Sequence, residues 1–245
     1  EQGVLAGLLL ATATLPAGWP ALDRALGGIS PPTDPSPSDW AALAAQTLPQ
    51  AAEAEACHTA AQLAAAILDR EGVALESIAC RAIYPKEFNT LLDAGLNKSD
   101  ILSRTTLGLA AELRQRFAGE PAVIWCDRHG GRKSYAALVA RHFDAPLVQP
   151  LEETPASSVY CVPAADATIA FRVGGESRLP VALASMTAKY VRELAMHAFN
   201  EFWSARVPGL AATAGYPVDA KRWLAAAGDA VRAAGVPEAA LWRRS

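Results

Sequence analysis

Zinc-type cysteine spacing is missing from this sequence. Cys57, Cys80, Cys126 and Cys161 stand far apart, with no C-x-x-C step and no paired Cys/His set, which excludes a zinc site of the usual spacing. They read as reduced, mostly buried thiols of a cytoplasmic protein. Excess charge is missing as well. The 22 Lys and Arg against 25 Asp and Glu leave a net charge of -3, so nothing attracts nucleic acid overall and any such contact needs a local basic strip. No stretch is suited to span a bilayer. The apolar run GVLAGLLLATATLPAG from Gly3 is too short and lacks a basic flank, and it reads as a core helix. The chain opens on Glu1 rather than Met, from which a natural start further upstream is expected. No internal repeat is apparent.

What is there in quantity is apolar and small. Of 245 residues 51% are hydrophobic and alanine abounds, a balance that suits a helix-rich α/β protein of one large domain or one domain with an appendage. Residues 1–75 read as a helical N-terminal segment. Within it, GGISPPTDPSPSD at 27–39 is a proline-rich loop, because closely spaced prolines deny the backbone continuous hydrogen bonding. Helices are expected at 3–15, 19–26, 40–45 and 51–70. Residues 76–245 form the second part. A mixed β-branched and aromatic run predicts a strand over 77–84, followed by a short helix at 88–94. Asn97 with Asp100 three residues on predicts a capped helix to about Phe117.

AVIWC at 122–126 predicts a short buried strand that delivers Asp127 at its carboxyl end. DRHGGRKSY then turns, 135–142 is helical, and strands are expected at 147–149, 159–162 and 168–173. A long helix follows Pro180 and runs to Arg206. On it Ala184, Ala188, Val191, Ala195 and Phe202 are expected to face the core, and Lys189, Arg192, Glu193 and His197 the solvent. Gly215-Tyr216-Pro217 predicts a turn that presents Tyr216.

The segment VGGESRLPVALASMTAKYVRE followed by TAGYPVDAKRW resembles the C-terminal half of ribonuclease HII, the type 2 ribonuclease H family. There a Gly-acid step precedes an Ala-Ser-[Ile/Met]-x-Ala-Lys-x-x-Arg helix and then a Gly-Tyr-Pro turn. The resemblance covers roughly Ser77 to Leu224. It implies an α/β fold with a ribonuclease H-like mixed sheet flanked by helices, lacking its first strands in this chain. It also implies metal-dependent hydrolysis of the RNA strand in RNA/DNA hybrids, or of ribonucleotides in duplex DNA.

The resemblance gives individual residues their expected roles. Asp127 aligns with the acid of the family's Ile-Asp-Gly step, and Glu176 stands where the family has the Asp of its Gly-Asp step. Both are expected to hold Mg²⁺ or Mn²⁺, hard ions that take oxygen ligands. Read without the family, Asp127 is a turn-forming acid before Gly130-Gly131 and Glu176 an exposed acid capping the helix that follows. Glu152 and Glu153 are further candidate ligands or ordinary loop carboxylates. Arg128, Arg132 and Lys133 surround the Gly130-Gly131 turn and suit phosphate contact, or else form a solvated loop. Lys189 and Arg192 match helix residues of the family, with a Lys189–Glu193 surface pair as the alternative. Tyr216 matches the tyrosine that stacks on sugar at the RNA-DNA junction. His129 reads as exposed.

Two departures stand out. Val218 and Lys221 replace a common Thr and His after the Gly-Tyr-Pro turn. The family's opening Asp-Glu-x-Gly-[Arg/Lys]-Gly strand is not found near Glu1, and is expected in an upstream segment or on a second chain. The competing function is a non-catalytic nucleic-acid-binding or assembly module of the same fold. A nuclease-fold protein acting on another nucleic acid is a third.

Overall fold

The computed structural model describes residues 1–29 and 42–244. The proline-rich loop and the start of the helix expected at 40–45 fall largely outside the described residues. The chain divides into two compact units, residues 1–89 with 186–245 and residues 90–185. In chain order the helices are α1 (Gln2–Thr12), α2 (Trp19–Ala25), α3 (Ala54–Arg70), α4 (Pro85–Asp93) and α5 (Lys98–Arg116). Strand β1 (Ala122–Asp127) follows, then α6 (Ala136–His142), β2 (Gln149–Glu153), β3 (Ser157–Val162) and β4 (Ala167–Arg172). The chain ends in α7 (Leu179–Ser204), α8 (Pro217–Ala233) and α9 (Glu238–Leu241). No helix among the described residues is long and apolar enough to cross a membrane.

The first unit is helical. Helix α1 is apolar around its circumference and packs along α3, burying Val4, Leu5, Ala6, Gly7 and Leu8, as a helix without a polar face must. The Glu1 carboxylate accepts the backbone N–H groups of Gln50, Ala51 and Ala52 at 2.8, 2.6 and 2.7 Å, and the Tyr190 hydroxyl at 2.9 Å. A second cluster gathers Trp203 of α7 with Trp223, Ala227 and Val231 of α8, the two indoles edge to face at 5.7 Å.

Two expectations fail in this unit. Residues 77–84 form no strand. Their amides join no ladder, and the Cys80 N–H bonds instead to Leu26 O at 3.1 Å. β-Branched composition favours a strand only where a neighbouring strand can pair with it. On α7 the buried stripe is Thr187, Tyr190, Val191, Leu194, Ala198 and Trp203, whereas Ala184 and Ala188 are exposed. The large side chains Tyr190, Leu194 and Trp203 have more area to withdraw from water than alanines, and they set the rotation of the helix. The polar side is as expected, with Lys189, Arg192, Glu193 and His197 all exposed.

The second unit is α/β, a four-stranded mixed sheet with flanking helices, in the order β1-β4-β3-β2. β1 runs parallel to β4, β4 antiparallel to β3, and β3 antiparallel to β2 with a register shift between Pro150 and Glu152. β2 begins at Gln149, two residues later than the start expected for the strand at 147–149, and carries Glu152 and Glu153 within it. Strand alternation sends Ile124 and Cys126 of β1, Tyr160 and Val162 of β3, and Ile169 and Phe171 of β4 to one face. There Leu107 of α5 and Val139 of α6 close the core, and Tyr135 stacks flat on Phe171 with centroids 3.7 Å apart. Helix α5 starts with the expected Asn97 cap, and the cap is a full capping box, since Asn97 Oδ1 accepts the Asp100 N–H at 3.0 Å and Asp100 Oδ2 accepts the Asn97 N–H at 3.2 Å.

Candidate functional site

The alternation that buries Ile124 and Cys126 sends Val123, Trp125 and Asp127 to the other face of β1. Asp127 is the last residue of β1 and stands opposite Arg172, the last of β4, in a parallel register. Beyond Arg172 the chain turns through Gly174, whose φ of 68° is a left-handed conformation that costs glycine little. A 3-10 turn at Gly175–Ser177 leads into α7. Gly175 is needed for closeness rather than conformation. A Cβ there would lie 3.2 Å from Asp127 Cα and 3.3 Å from Val181 Cγ1.

This close approach lets the Gly175 N–H donate to Asp127 Oδ1 at 3.2 Å. The next residue, Glu176, accepts the Ser185 hydroxyl of α7 on Oε1 at 3.0 Å. Both acids are exposed. The structure therefore brings Asp127, at the end of β1, and Glu176, in the turn beyond the parallel β4, to one rim. Glu152 and Glu153 end β2, three strand spacings from β1, or about 14 Å, too far to share an ion with Asp127. Glu153 is engaged in any case, because its carboxylate takes the Tyr160 hydroxyl, and that bond holds its pKa below the usual carboxylate range. Among the described residues no three His, Cys, Asp or Glu side chains gather as a metal site.

Compared with known protein families, curated proteins and solved structures, the chain matches none.

The turn after Asp127 is held by its own basic residues. Arg128 donates to Thr154 O at 3.1 Å, Pro155 O at 2.6 Å and Arg132 O at 2.8 Å, tying the turn to the β2–β3 hairpin. Arg132 bonds to the Asp100 carboxylate. Lys133 is exposed and, with Arg132, Asn97 and Ser99, lines an open cleft of about 480 Å³. His129 corrects an expectation. It is 4% exposed rather than solvated, with Nδ1 2.9 Å from the Ser103 hydroxyl and its backbone N–H donating to Tyr135 Oη at 3.0 Å. Its ring sits edge-on to Tyr135 and Phe171. Burial, and after it the Arg132 charge, push its pKa down to about 4, so the imidazole is neutral near pH 7.

In the first unit Lys189 pairs with Glu193 at 3.8 Å, an exposed contact one helical turn apart. Arg192 lies over the Tyr216 ring, 5.1 Å from its centroid, and donates to Ala214 O. Tyr216 is 64% exposed at the N-cap position of α8. Arg192 and Tyr216 stand apart in the sequence, and the fold joins them.

Three residues near Asp127 are not legible as a group in the sequence alone. Trp125, two residues before Asp127 and on the same face, carries the guanidinium of Arg178 at 4.4 Å and that of Arg172 at 5.5 Å from its ring centroid. The signal was present in the Arg172 to Arg178 spacing around the Gly-Gly step. It lacked meaning until β4 lay beside β1.

Proposed function

We propose that this chain carries the carboxylate rim of a ribonuclease HII-like phosphodiester hydrolase, on a ribonuclease H-like form of the α/β fold. Its substrate would be the RNA strand of an RNA/DNA hybrid, or a ribonucleotide within duplex DNA. The observation that carries the reading is the parallel pairing of β1 with β4, which ends in Asp127 on one strand and Gly175-Glu176 beyond the other, with Asp127 bonded to the Gly175 N–H. Crevices beyond the carboxyl ends of parallel strands are habitual ligand sites in α/β sheets.

The donor set fits a hard divalent cation. Asp127 and Glu176 each bond through one oxygen and keep the other for a ligand. Mg²⁺ commonly binds through one or two carboxylates and fills its remaining positions with water and substrate phosphate. Mg²⁺ or Mn²⁺, when bound, would polarise the phosphoryl oxygen and lower the pKa of an attacking water. The Gly175 N–H orients Asp127, and Ser185 orients Glu176. Lys133 offers a phosphate contact, and the Arg192–Tyr216 pair offers an aromatic face with a cation behind it for sugar or base. The four free cysteines agree with a reducing, cytoplasmic setting.

The non-catalytic reading has its own support, since no three metal-ligating side chains gather among the described residues. One assay separates the two. The chain is incubated with a duplex holding a single ribonucleotide, with and without Mg²⁺ or Mn²⁺, beside Asp127→Asn. Hydrolysis requires metal-dependent cleavage that falls at least about a hundredfold in the variant, a loss typical of removing one charged group from a transition state. Binding without cleavage by either protein selects the non-catalytic module.

A further inference from the structure

We infer that the cavity at the carboxyl ends of β1 and β4 is a phosphate-binding site built by Arg172, Arg178 and Trp125. It goes beyond the hydrolase reading, because it requires neither bound metal nor cleavage.

The cavity holds about 170 Å³ and is lined by Trp125, Arg172, Gly174, Ser177, Arg178 and Val181 among others. That is room for roughly five or six waters at the liquid's about 30 Å³ each. It falls below the about 300 Å³ at which clefts begin to enclose a drug-sized ligand. The occupant is therefore a small group, free or at the end of something larger that stays outside.

Its charge is set by the two arginines. Both guanidiniums lie within cation–π range of the same indole, which positions them before any ligand arrives. Arg114, Arg128, Arg132 and Arg222 all donate to carbonyls or carboxylates. Arg172 and Arg178 have no such bond or ion pair among the described residues. Arg172 Nε is in addition buried with no acceptor, a donor withdrawn from water and left unmatched. An oxyanion would supply the acceptor, neutralise two like charges held at one ring, and match the forked geometry of guanidinium. Ser177 adds a hydroxyl to the wall, and the 26-residue α7 starts just beyond, with its positive end at Leu179.

The opposing charges are Asp127, beside Arg172 in register, and Glu176 in the wall's own turn. Their carboxylates are turned to Gly175 and Ser185. They weaken a bare anion's binding without cancelling two arginines. A phosphate group satisfies all of this, whether as inorganic phosphate or as one phosphodiester of a polynucleotide.

The test is titration of the full chain in metal-free buffer with inorganic phosphate, and separately with a short single-stranded oligonucleotide, followed by calorimetry and tryptophan fluorescence. Saturable binding is expected for at least one probe, and Arg178→Gln should weaken it about tenfold, the scale of one charge-assisted hydrogen bond. Arg178 is exposed, so this variant keeps its fold. Arg172→Lys should weaken binding too, and Asp127→Asn should strengthen it, opposite to its effect on any cleavage. Binding of phosphate alone points to a free ligand. Binding only of the oligonucleotide, still lost in Arg178→Gln, points to a nucleic-acid backbone. No saturable binding of either probe at millimolar phosphate, or binding that Arg178→Gln leaves unchanged, overturns the site.

Discussion

His129 shows how a single side chain ties folding to pH. Its pKa in the folded chain is about 4, against about 6.5 when exposed, so the unfolded chain binds the proton more readily throughout that interval. Stability contributed by the neutral imidazole is complete above about pH 6.5. It is lost as pH falls toward 4, by up to about 3 kcal/mol. Urea denaturation at pH 7 and pH 4.5 should therefore show a smaller drop for His129→Gln than for the unmutated chain. Asp100 and Asp219, whose pKa values are lowered by hydrogen bonds, lose stability in the same direction at lower pH and remain in both proteins. Equal drops in both proteins would mean that the buried histidine is not the group responsible.

At the scale of elements, the start of α5 joins local and distant bonds. The Asn97–Asp100 capping box is local, and Asp100 also takes Nη2 of Arg132, whose Nε is buried without a partner. Asn97→Ala should cost about 1 kcal/mol, as loss of an N-cap does. Asp100→Ala should cost more, about 2 kcal/mol, because it leaves a half-buried guanidinium short of its acceptor. Denaturant midpoints of the two variants check the order, and a smaller cost for Asp100→Ala would deny the second role. The Asn97 cap was legible in four consecutive residues because every partner lies within one turn. The rotation of α7 was not. Alanines at helical spacing marked a plausible apolar stripe, but Tyr190, Leu194 and Trp203 decided which side turned inward.

The whole molecule has separate aromatic cores, one around Phe171 and Tyr135 and another around Trp203 and Trp223. Phe171→Ala and Trp203→Ala should each cost about 3–5 kcal/mol, the range for emptying a large buried aromatic site. The first should loosen hydrogen-exchange protection in β1, β3 and β4, the second in α7 and α8. The clusters share no residue, so a double variant should be additive within about 0.5 kcal/mol. A larger coupling would show that the two cores act as one.

By itself the sequence determined what short-range physics controls. A β-branched and aromatic run closing on Asp127, a proline-started helix with a charged outer side, and a Gly-Tyr-Pro turn with its tyrosine in solvent all needed only neighbours along the chain. Pairing across the chain was decided by the tertiary structure alone. Residues 77–84 have strand composition and no strand beside them, and His129 lies in a polar turn yet is covered by Tyr135 and Phe171. Trp125, Arg172 and Arg178 meet because β4 hydrogen-bonds to β1 some forty-five residues after it. That choice of neighbour depends on loop closure and shared burial, which no local pattern of residues encodes.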